Sequence, residues 1–175
     1  MKRMHSIHNY DVTLFTWLLN RRVHSTLVGI SRTISKTGDG QLYLLIAAFI
    51  FWQQGYYSPL LQTICLAFLI ERPTYFILKN SFKRNRPESA LKNFHSTITP
   101  SDPFSFPSGH TSAAFMMATL ISYAYPSLLI SLFFWAGLVG FSRVLLGVHF
   151  PTDILVGILL GICTGLLSLN TVYWL

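Results

Sequence analysis

Residues 142–153 read SRVLLGVHFPTD and form a polar break between two long apolar segments. This break contains Arg143, His149 and Asp153 in a half of the chain with few other ionisable side chains. Pro151 suits the first position of a new helix, because its missing N–H costs nothing there. Asp153 then falls in the first helical turn, where the helix dipole favours a carboxylate, and it can reach back to the imidazole of His149. Such a pair leaves the second ring nitrogen as a base or nucleophile, whereas the plain alternative is a helix cap beside a loop histidine.

The composition is typical of a membrane protein. Of the 175 residues, 51% are hydrophobic and 11% are charged, whereas soluble domains carry about 25% charged residues. Residues 40–70, 103–142 and 154–175 contain no Asp, Glu, Lys or Arg. Each of these runs can supply segments of about 20 apolar residues, which is the length that spans a bilayer. We therefore predict one compact membrane domain and no separate soluble domain.

The basic residues give a formal net charge of +7 and flank the apolar segments. Anionic lipid head groups or a phosphorylated substrate are therefore the expected partners, rather than nucleic acid. Cys65 and Cys163 lie far apart inside apolar runs, so we predict two small buried side chains and neither a disulfide nor a metal pair. The apolar run at 12–19 is short and has no small-residue cleavage site, so no cleaved signal peptide is predicted.

The order of apolar and polar segments predicts an all-α, polytopic membrane bundle of about five transmembrane helices. Residues 1–38 interleave apolar and basic side chains, which is typical of amphipathic helices in the membrane interface, and residues 39–175 form the transmembrane domain. Glu71 and Arg72 lie inside one span, where charges are costly unless they are paired or face a polar interior. The predicted spans are Gln41–Trp52, Pro59–Asn80, His110–Tyr125, Ser127–Leu146 and Pro151–Leu175.

Two further motifs lie between these spans. Residues 79–87, KNSFKRNRP, hold four cations and are either a juxtamembrane basic cluster or an anion clamp built on Lys79 and Arg86. In residues 106–111, FPSGHT, Ser108 is a natural helix N-cap and Gly109 allows close backbone approach. The free N–H groups of that helix start can bind an anion, and His110 can donate a proton to a leaving oxygen. The plain alternative is an ordinary helix cap.

Five spans would bring all three motifs to one membrane face. Cations, a helix N-terminus and two histidines, one backed by a carboxylate, indicate phosphoryl-transfer chemistry. The acidic residues Asp102 and Glu88 are isolated in the sequence, and no Cys/His set is present. We therefore predict no metal site and no cofactor, and a metal-independent reaction.

The three motifs together resemble the signature of the type 2 phosphatidic acid phosphatase superfamily. The matching residues are Lys79-x6-Arg86-Pro87, Pro107-Ser108-Gly109-His110 and Ser142-Arg143-x5-His149-x3-Asp153. The resemblance implies that His149 is a nucleophile forming a phosphohistidine, that Asp153 orients it, and that His110 is the general acid. It further implies that the phosphoryl oxygens are held by Lys79, Arg86, Ser108, Gly109 and Arg143. Members usually have six spans, so a sixth is possible.

The resemblance implies hydrolysis of a lipid phosphate in a bacterial inner membrane. Undecaprenyl pyrophosphate is favoured on family frequency, with phosphatidylglycerophosphate, phosphatidic acid and lipid A phosphates as alternatives. A lipid phosphotransferase and a non-catalytic lipid-binding protein also stay open, and the oligomeric state is not predicted. Family members that process lipid carriers imply a periplasmic site. The positive-inside rule favours the cytoplasmic face instead, because of Lys2, Arg3, Arg21, Arg22, Arg32, Lys36 and Lys92.

Overall fold

A computed structural model describes residues 2–20, 25–100 and 102–174, and the regular elements of this part of the chain are all helices. Arg21 and Arg22, which entered the charge argument above, lie outside the described residues. A short 3-10 turn, Pro126–Leu128, precedes α7. The eight α-helices of the described residues are α1 Lys2–Asn20, α2 Ser25–Thr37, α3 Gly40–Gln54, α4 Pro59–Phe82, α5 Pro87–Ala90, α6 Gly109–Ala124, α7 Leu129–Leu145 and α8 Pro151–Trp174.

Three of the five predicted spans are helices long and apolar enough to cross a membrane. They correspond to α4, to the segment Pro126–Leu145 that ends with α7, and to α8. The other two, α3 and α6, have 15 and 16 residues, so they extend only about 22 and 24 Å, against a hydrocarbon core of about 30 Å. Helix α3 ends at Gln54, and the next residue, Gly55, turns the chain away from the helix with a positive φ of 72°. The five predicted segments are therefore all helical, but two of them are short.

Helix α6 lies at the centre of the bundle and packs against α4, α7 and α8. Every residue from 111 to 120 is buried. Its most extensive partner is α8, which turns Gly157, Gly161 and Gly165 towards it. A Cβ at Gly161 would lie 2.2 Å from the backbone oxygen of Ser112. These glycines let the two helix backbones approach closely, which brings the starts of α6 and α8 together.

We expect Gly161→Ala to destabilise the protein, because the added methyl group would push α8 away from α6. The free energy of unfolding should fall by about 1–3 kcal/mol, which is the usual range for overpacking a core. Gly137→Ala is the matched control, since a Cβ at Gly137 meets nothing within 4 Å, and alanine favours a helix. Thermal unfolding in detergent measures the effect. Equal melting temperatures for the two variants would contradict this account of the α6–α8 contact.

The N-terminal helices pack onto the bundle. Helix α1 contacts α7 and α8, and α2 contacts α7. Phe15 of α1 is fully buried, with its ring 5.2 Å from that of Phe94 and 5.3 Å from that of Phe150. The prediction of two buried cysteines is wrong: Cys65 and Cys163 are exposed, because they lie on outward faces of α4 and α8. In a bilayer these faces meet lipid, so the apolar pattern around each cysteine did not require burial in protein.

Candidate active site

The turn between α7 and α8 places His149 and Asp153 side by side. Gly147, with a φ of 77°, reverses the chain after α7, and the buried His149 precedes the first turn of α8. The Nδ1 atom of His149 lies 3.7 Å from Oδ2 of Asp153, which is ion-pair range but longer than a hydrogen bond. Instead, Oδ2 accepts the N–H of Phe150 at 2.8 Å. The structure thus brings the predicted pair together, with the carboxylate anchored in the turn that carries the histidine.

Arg84 holds the other oxygen of Asp153 and links it to α1. Its Nη1 donates to Asp153 Oδ1 at 2.8 Å and to Thr152 Oγ1 at 2.7 Å, while Nη2 donates to Asp11 Oδ2 at 2.5 Å. Asp11 also accepts the backbone N–H of Thr152 at 3.0 Å and bonds its hydroxyl. The buried carboxylates of Asp11 and Asp153 thus share Arg84, whose positive charge balances part of their negative charge. The N-terminal helix is thereby fastened behind His149.

Lys79 and Arg86, predicted as an anion clamp, converge on Asp102. Its Oδ1 accepts from Lys79 Nζ at 2.7 Å and from Arg86 Nη2 at 2.9 Å, and its Oδ2 accepts from the Tyr75 hydroxyl at 3.2 Å. Arg86 also donates through Nη1 to the Val148 carbonyl at 2.7 Å, and the same nitrogen lies 3.5 Å from His149 Nε2. Arg86 is therefore next to the histidine, and Lys79 is linked to Arg86 through Asp102, whose carboxylate binds both cations.

Arg143 and His110 form the opposite wall of the site. Arg143 Nη1 donates to Ser35 Oγ at 2.7 Å, whereas its buried Nε has no hydrogen-bond partner in the part of the chain that the structure describes. His110 Nε2 lies 2.8 Å from Asp39 Oδ1. A buried guanidinium nitrogen without a partner is costly, so it marks a place where a ligand oxygen can bind.

Ser108 and Gly109 begin α6 within this group. Ser108 is the N-cap residue as predicted, but its side chain makes no capping bond; its Oγ lies 2.9 Å from Thr111 Oγ1 instead. Its backbone N–H donates to the Asp153 carbonyl at 3.1 Å, which ties α6 to α8. A Cβ at Gly109 would come within 2.9 Å of the Tyr75 ring. Close packing at this helix start therefore requires glycine, and the first N–H groups of α6 keep no intrahelical partner.

A cavity of about 580 Å³ is lined by five of the predicted site residues, whereas Lys79, Ser108 and Asp153 lie behind its wall. Arg86, Asp102, His110, Arg143 and His149 line one end of it. The other end continues into an almost wholly apolar groove of about 330 Å³ between α3 and α4. A second cavity, of about 540 Å³, lies on the far side of the wall made by Asp39, His110 and Arg143, and it is lined by Arg32 and Lys36 among others. The site thus has a charged end and an apolar end.

The electrostatic environment shifts the protonation of His149 and Asp102. Burial lowers the pKa of the His149 imidazole to about 4, although the Asp153 carboxylate opposes that shift. Burial acts to raise the pKa of Asp102, but the hydrogen bonds and charges of Lys79 and Arg86 outweigh it and hold the pKa below its usual range. At neutral pH, His149 is therefore an uncharged imidazole and Asp102 is ionised. An uncharged ring nitrogen is the form that can attack phosphorus.

The low pKa of His149 predicts a loss of stability in acid. Above pH 6.5 the histidine is neutral in both folded and unfolded chains; below it, the unfolded chain binds a proton that the folded protein does not bind until about pH 4. Stability should therefore fall by about 3 kcal/mol between these pH values through this residue alone. Thermal unfolding in detergent across pH 4–7 measures it, and His149→Gln should remove this part of the pH dependence. Parallel curves for both proteins would contradict the prediction.

Several residues at the site were not predicted from the sequence. Asp11, Ser35 and Asp39 come from the N-terminal segment, and Asp102, judged isolated, bridges the two clamp cations. Each is a single polar residue outside the three motifs, so no local pattern marks it. Of these four, only Asp11 could have been found from the sequence. It is an acidic residue on the apolar side of the amphipathic helix α1, and it is buried.

The fold and the site define a helical membrane protein with a cation- and histidine-lined cavity. The chain belongs to the PAP2 superfamily, whose family model matches residues 56–175. It is 35% identical over 151 residues to phosphatidylglycerophosphatase B of Bacillus subtilis, covering 80% of this chain and 70% of that protein. These findings identify a membrane lipid phosphate phosphatase.

Two solved structures share the fold. The crystal structure of Aquifex aeolicus LpxE matches with a TM-score of 0.80 and 31% identity, covering 91% of this chain and 94% of that one. The PAP2-type phosphatidylglycerolphosphate phosphatase from Bacillus subtilis matches with a TM-score of 0.77 and 28% identity, covering 95% and 86%. The resemblance inferred from the three motifs is thus confirmed across most of the chain.

Proposed function

We propose that this protein hydrolyses the phosphomonoester of phosphatidylglycerophosphate through a phosphohistidine on His149. The observation that carries the proposal is the position of His149 Nε2, 3.5 Å from Arg86 Nη1, in a cavity that continues into an apolar groove. A phosphate bound by Arg86 would lie against this nitrogen. The acyl chains would extend along the groove towards the bilayer.

In the first step, His149 Nε2 attacks phosphorus as the ester P–O bond breaks. His110 donates a proton to the departing oxygen, which leaves as the lipid alcohol. In the second step, a water molecule attacks the phosphohistidine, His110 takes a proton from that water, and the P–N bond breaks. Inorganic phosphate and the free imidazole of His149 are the products, so each step balances in atoms and charge.

The remaining predicted residues would stabilise the phosphoryl group. Lys79, Arg86 and Arg143 would supply positive charge to the three equatorial oxygens, and the N–H of Gly109, at the start of α6, would supply a hydrogen bond. Ser108, whose N–H donates to the Asp153 carbonyl, would contribute its hydroxyl. Because Asp102 occupies Lys79 and Arg86 in this structure, the incoming phosphate would take over those donors. Asp153 would stabilise the imidazolium-like charge of His149, at a distance of 3.7 Å.

The relatives bear on the choice of lipid. Family frequency favoured undecaprenyl pyrophosphate, but the alternative of a phospholipid phosphomonoester is better supported. A relative covering 80% of this chain is named as a phosphatidylglycerophosphatase, and a solved structure covering 95% of it is described as a phosphatidylglycerolphosphate phosphatase. Phosphatidylglycerophosphate therefore comes first in the proposal, and a lipid A phosphate second, because LpxE shares the fold.

The test is phosphate release by the purified protein in detergent with EDTA present. The panel contains phosphatidylglycerophosphate, phosphatidic acid, a lipid A phosphate and undecaprenyl pyrophosphate. We expect the highest kcat/KM for phosphatidylglycerophosphate and no loss of rate with EDTA. A higher kcat/KM for undecaprenyl pyrophosphate would overturn the substrate proposal. Phosphate appearing on an added alcohol acceptor in place of water would indicate a transferase.

A further inference from the structure

We propose that Arg72 and Tyr43 form a second anion subsite, which binds the internal phosphodiester of the lipid substrate. The inference rests on the proposed function and makes it more specific. Neither residue belongs to the three signature motifs. Both line the 580 Å³ cavity between its charged end and its apolar end.

The position of Arg72 along α4 suits this role. Lys79, which bonds Asp102 at the charged end, lies seven residues further along the helix, about 10 Å by helix rise. Phe68, one turn before Arg72, lines both the cavity and the apolar groove. Arg72 therefore lies between the clamp for the terminal phosphate and the groove for the acyl chains.

Tyr43 supplies the independent observation. Its side chain is only 3% exposed, yet its hydroxyl has no hydrogen-bond partner among the residues that the structure describes. The ring is fixed by Phe68, with centroids 5.9 Å apart, and by Trp135 at 6.5 Å. Tyr43 lines both the cavity and the apolar groove. A buried hydroxyl without a partner is costly, so a ligand oxygen at this place would be stabilised by it.

Glu71 does not occupy all of the hydrogen-bond donors of Arg72. Its Nε and Nη2 donate to the two oxygens of Glu71 at 2.5 and 2.7 Å, which leaves Nη1 to donate elsewhere. Glu71 is fully buried and also accepts from Ser112 at 2.7 Å, whereas the Arg72 side chain is 40% exposed. An arginine that only neutralised Glu71 would be expected to be buried with it. Arg72 also lines the cavity, so it presents a charge there, in a membrane segment where charges usually serve function.

The two subsites together select the spacing of phosphates in the substrate. Phosphatidylglycerophosphate carries a terminal phosphomonoester and an internal phosphodiester joined by a three-carbon glycerol bridge. In phosphatidic acid there is no second phosphate. A pyrophosphate joins its phosphorus atoms through one oxygen, which is too short to reach from Lys79 to the level of Arg72. The chemistry recognised is therefore a lipid with two phosphates held apart by a short polyol.

The experiment compares two lipids with the same acyl chains, phosphatidylglycerophosphate and phosphatidic acid, in mixed micelles. The variants are Tyr43→Phe and the double variant Glu71→Gln with Arg72→Gln, which removes both charges and so leaves no unpaired buried carboxylate. A hydrogen bond to a charged group is worth enough to change kcat/KM by about 10- to 100-fold. For both variants we expect kcat/KM to fall by this factor with phosphatidylglycerophosphate, mainly through a higher KM. With phosphatidic acid, kcat/KM should change by less than about threefold.

Lys36→Gln is the control, because Lys36 is an exposed cation on the second cavity and should leave both rates unchanged. Equal losses on the two lipids in Tyr43→Phe would overturn the inference, since they would indicate a general structural role. A selective loss in Lys36→Gln would also overturn it by placing the subsite in the second cavity. If the wild type cleaves phosphatidic acid but not phosphatidylglycerophosphate, the inference fails and lipid phosphatase activity stands. If it cleaves no lipid phosphate, the proposed function itself fails.

Discussion

His149→Ala should abolish phosphate release. The substitution removes the ring nitrogen that lies 3.5 Å from Arg86 Nη1. In the proposed mechanism the cations would still bind the phosphate, but its nucleophile would be missing. For residues that act as one unit in covalent catalysis, removing the nucleophile costs as much as removing the unit. We therefore expect kcat to fall about 10⁴-fold or more, with KM nearly unchanged, in a detergent assay of phosphatidylglycerophosphate hydrolysis.

A second histidine provides the control for this experiment. His95 lies in the loop before α6, is 87% exposed and contacts Glu88, so His95→Ala should leave the rate unchanged. Acid quenching during turnover should also trap an acid-labile phosphoprotein in the wild type and none in His149→Ala. Retention of more than a tenth of the wild-type rate by His149→Ala would show that another group attacks phosphorus.

Arg86→Ala should have the next largest effect. Arg86 is buried and reaches Asp102, the Val148 carbonyl and His149 from one guanidinium group. In the proposed mechanism its loss removes a hydrogen-bond donor to the phosphate. It also removes the hydrogen bond to Val148 that holds the turn carrying His149. Removing one such donor typically costs about 10²- to 10³-fold in kcat, and we expect the upper part of this range for kcat/KM.

Arg86→Lys distinguishes charge from geometry, because lysine keeps the charge but cannot form the planar, two-pronged contact. We expect it to recover no more than about a tenth of the wild-type kcat/KM. Lys92→Ala is the control. It removes an exposed cation of the same loop and should leave kcat/KM unchanged. Full activity in Arg86→Lys would mean that charge alone matters at this position.

The sequence was most informative where chemistry is concentrated in short motifs. Ionisable groups lie at the edges of the apolar runs, and such edges were expected to meet at one membrane face. Convergence was therefore predicted for Lys79, Arg86, His110, Arg143 and His149. Membrane composition likewise predicted the helical bundle. The structure confirms the all-α fold and places Arg86, His110, Arg143 and His149 along one cavity, because the hydrophobic segments leave few other ways to arrange the polar ends.

The sequence was least informative where a contact joins distant parts of the chain. Asp11 meets Thr152 across 141 residues, and Arg143 meets Ser35 across 108. No local periodicity encodes such pairs, since each depends on how α1 and α2 pack against α7 and α8. The lengths of α3 and α6 are close to those predicted, but apolar composition does not show whether a helix is surrounded by lipid or by other helices.

The fastening of α1 behind the α7–α8 turn has a consequence for comparisons within the superfamily. The family match begins at residue 56, and every signature residue lies after it. Yet Asp11, Ser35 and Asp39, which bond Arg84, Arg143 and His110, all lie before it. A chimera that took its first 55 residues from a relative would keep the whole signature and exchange these three partners. Differences in rate and pH optimum between relatives can therefore originate upstream of the residues by which the superfamily is recognised.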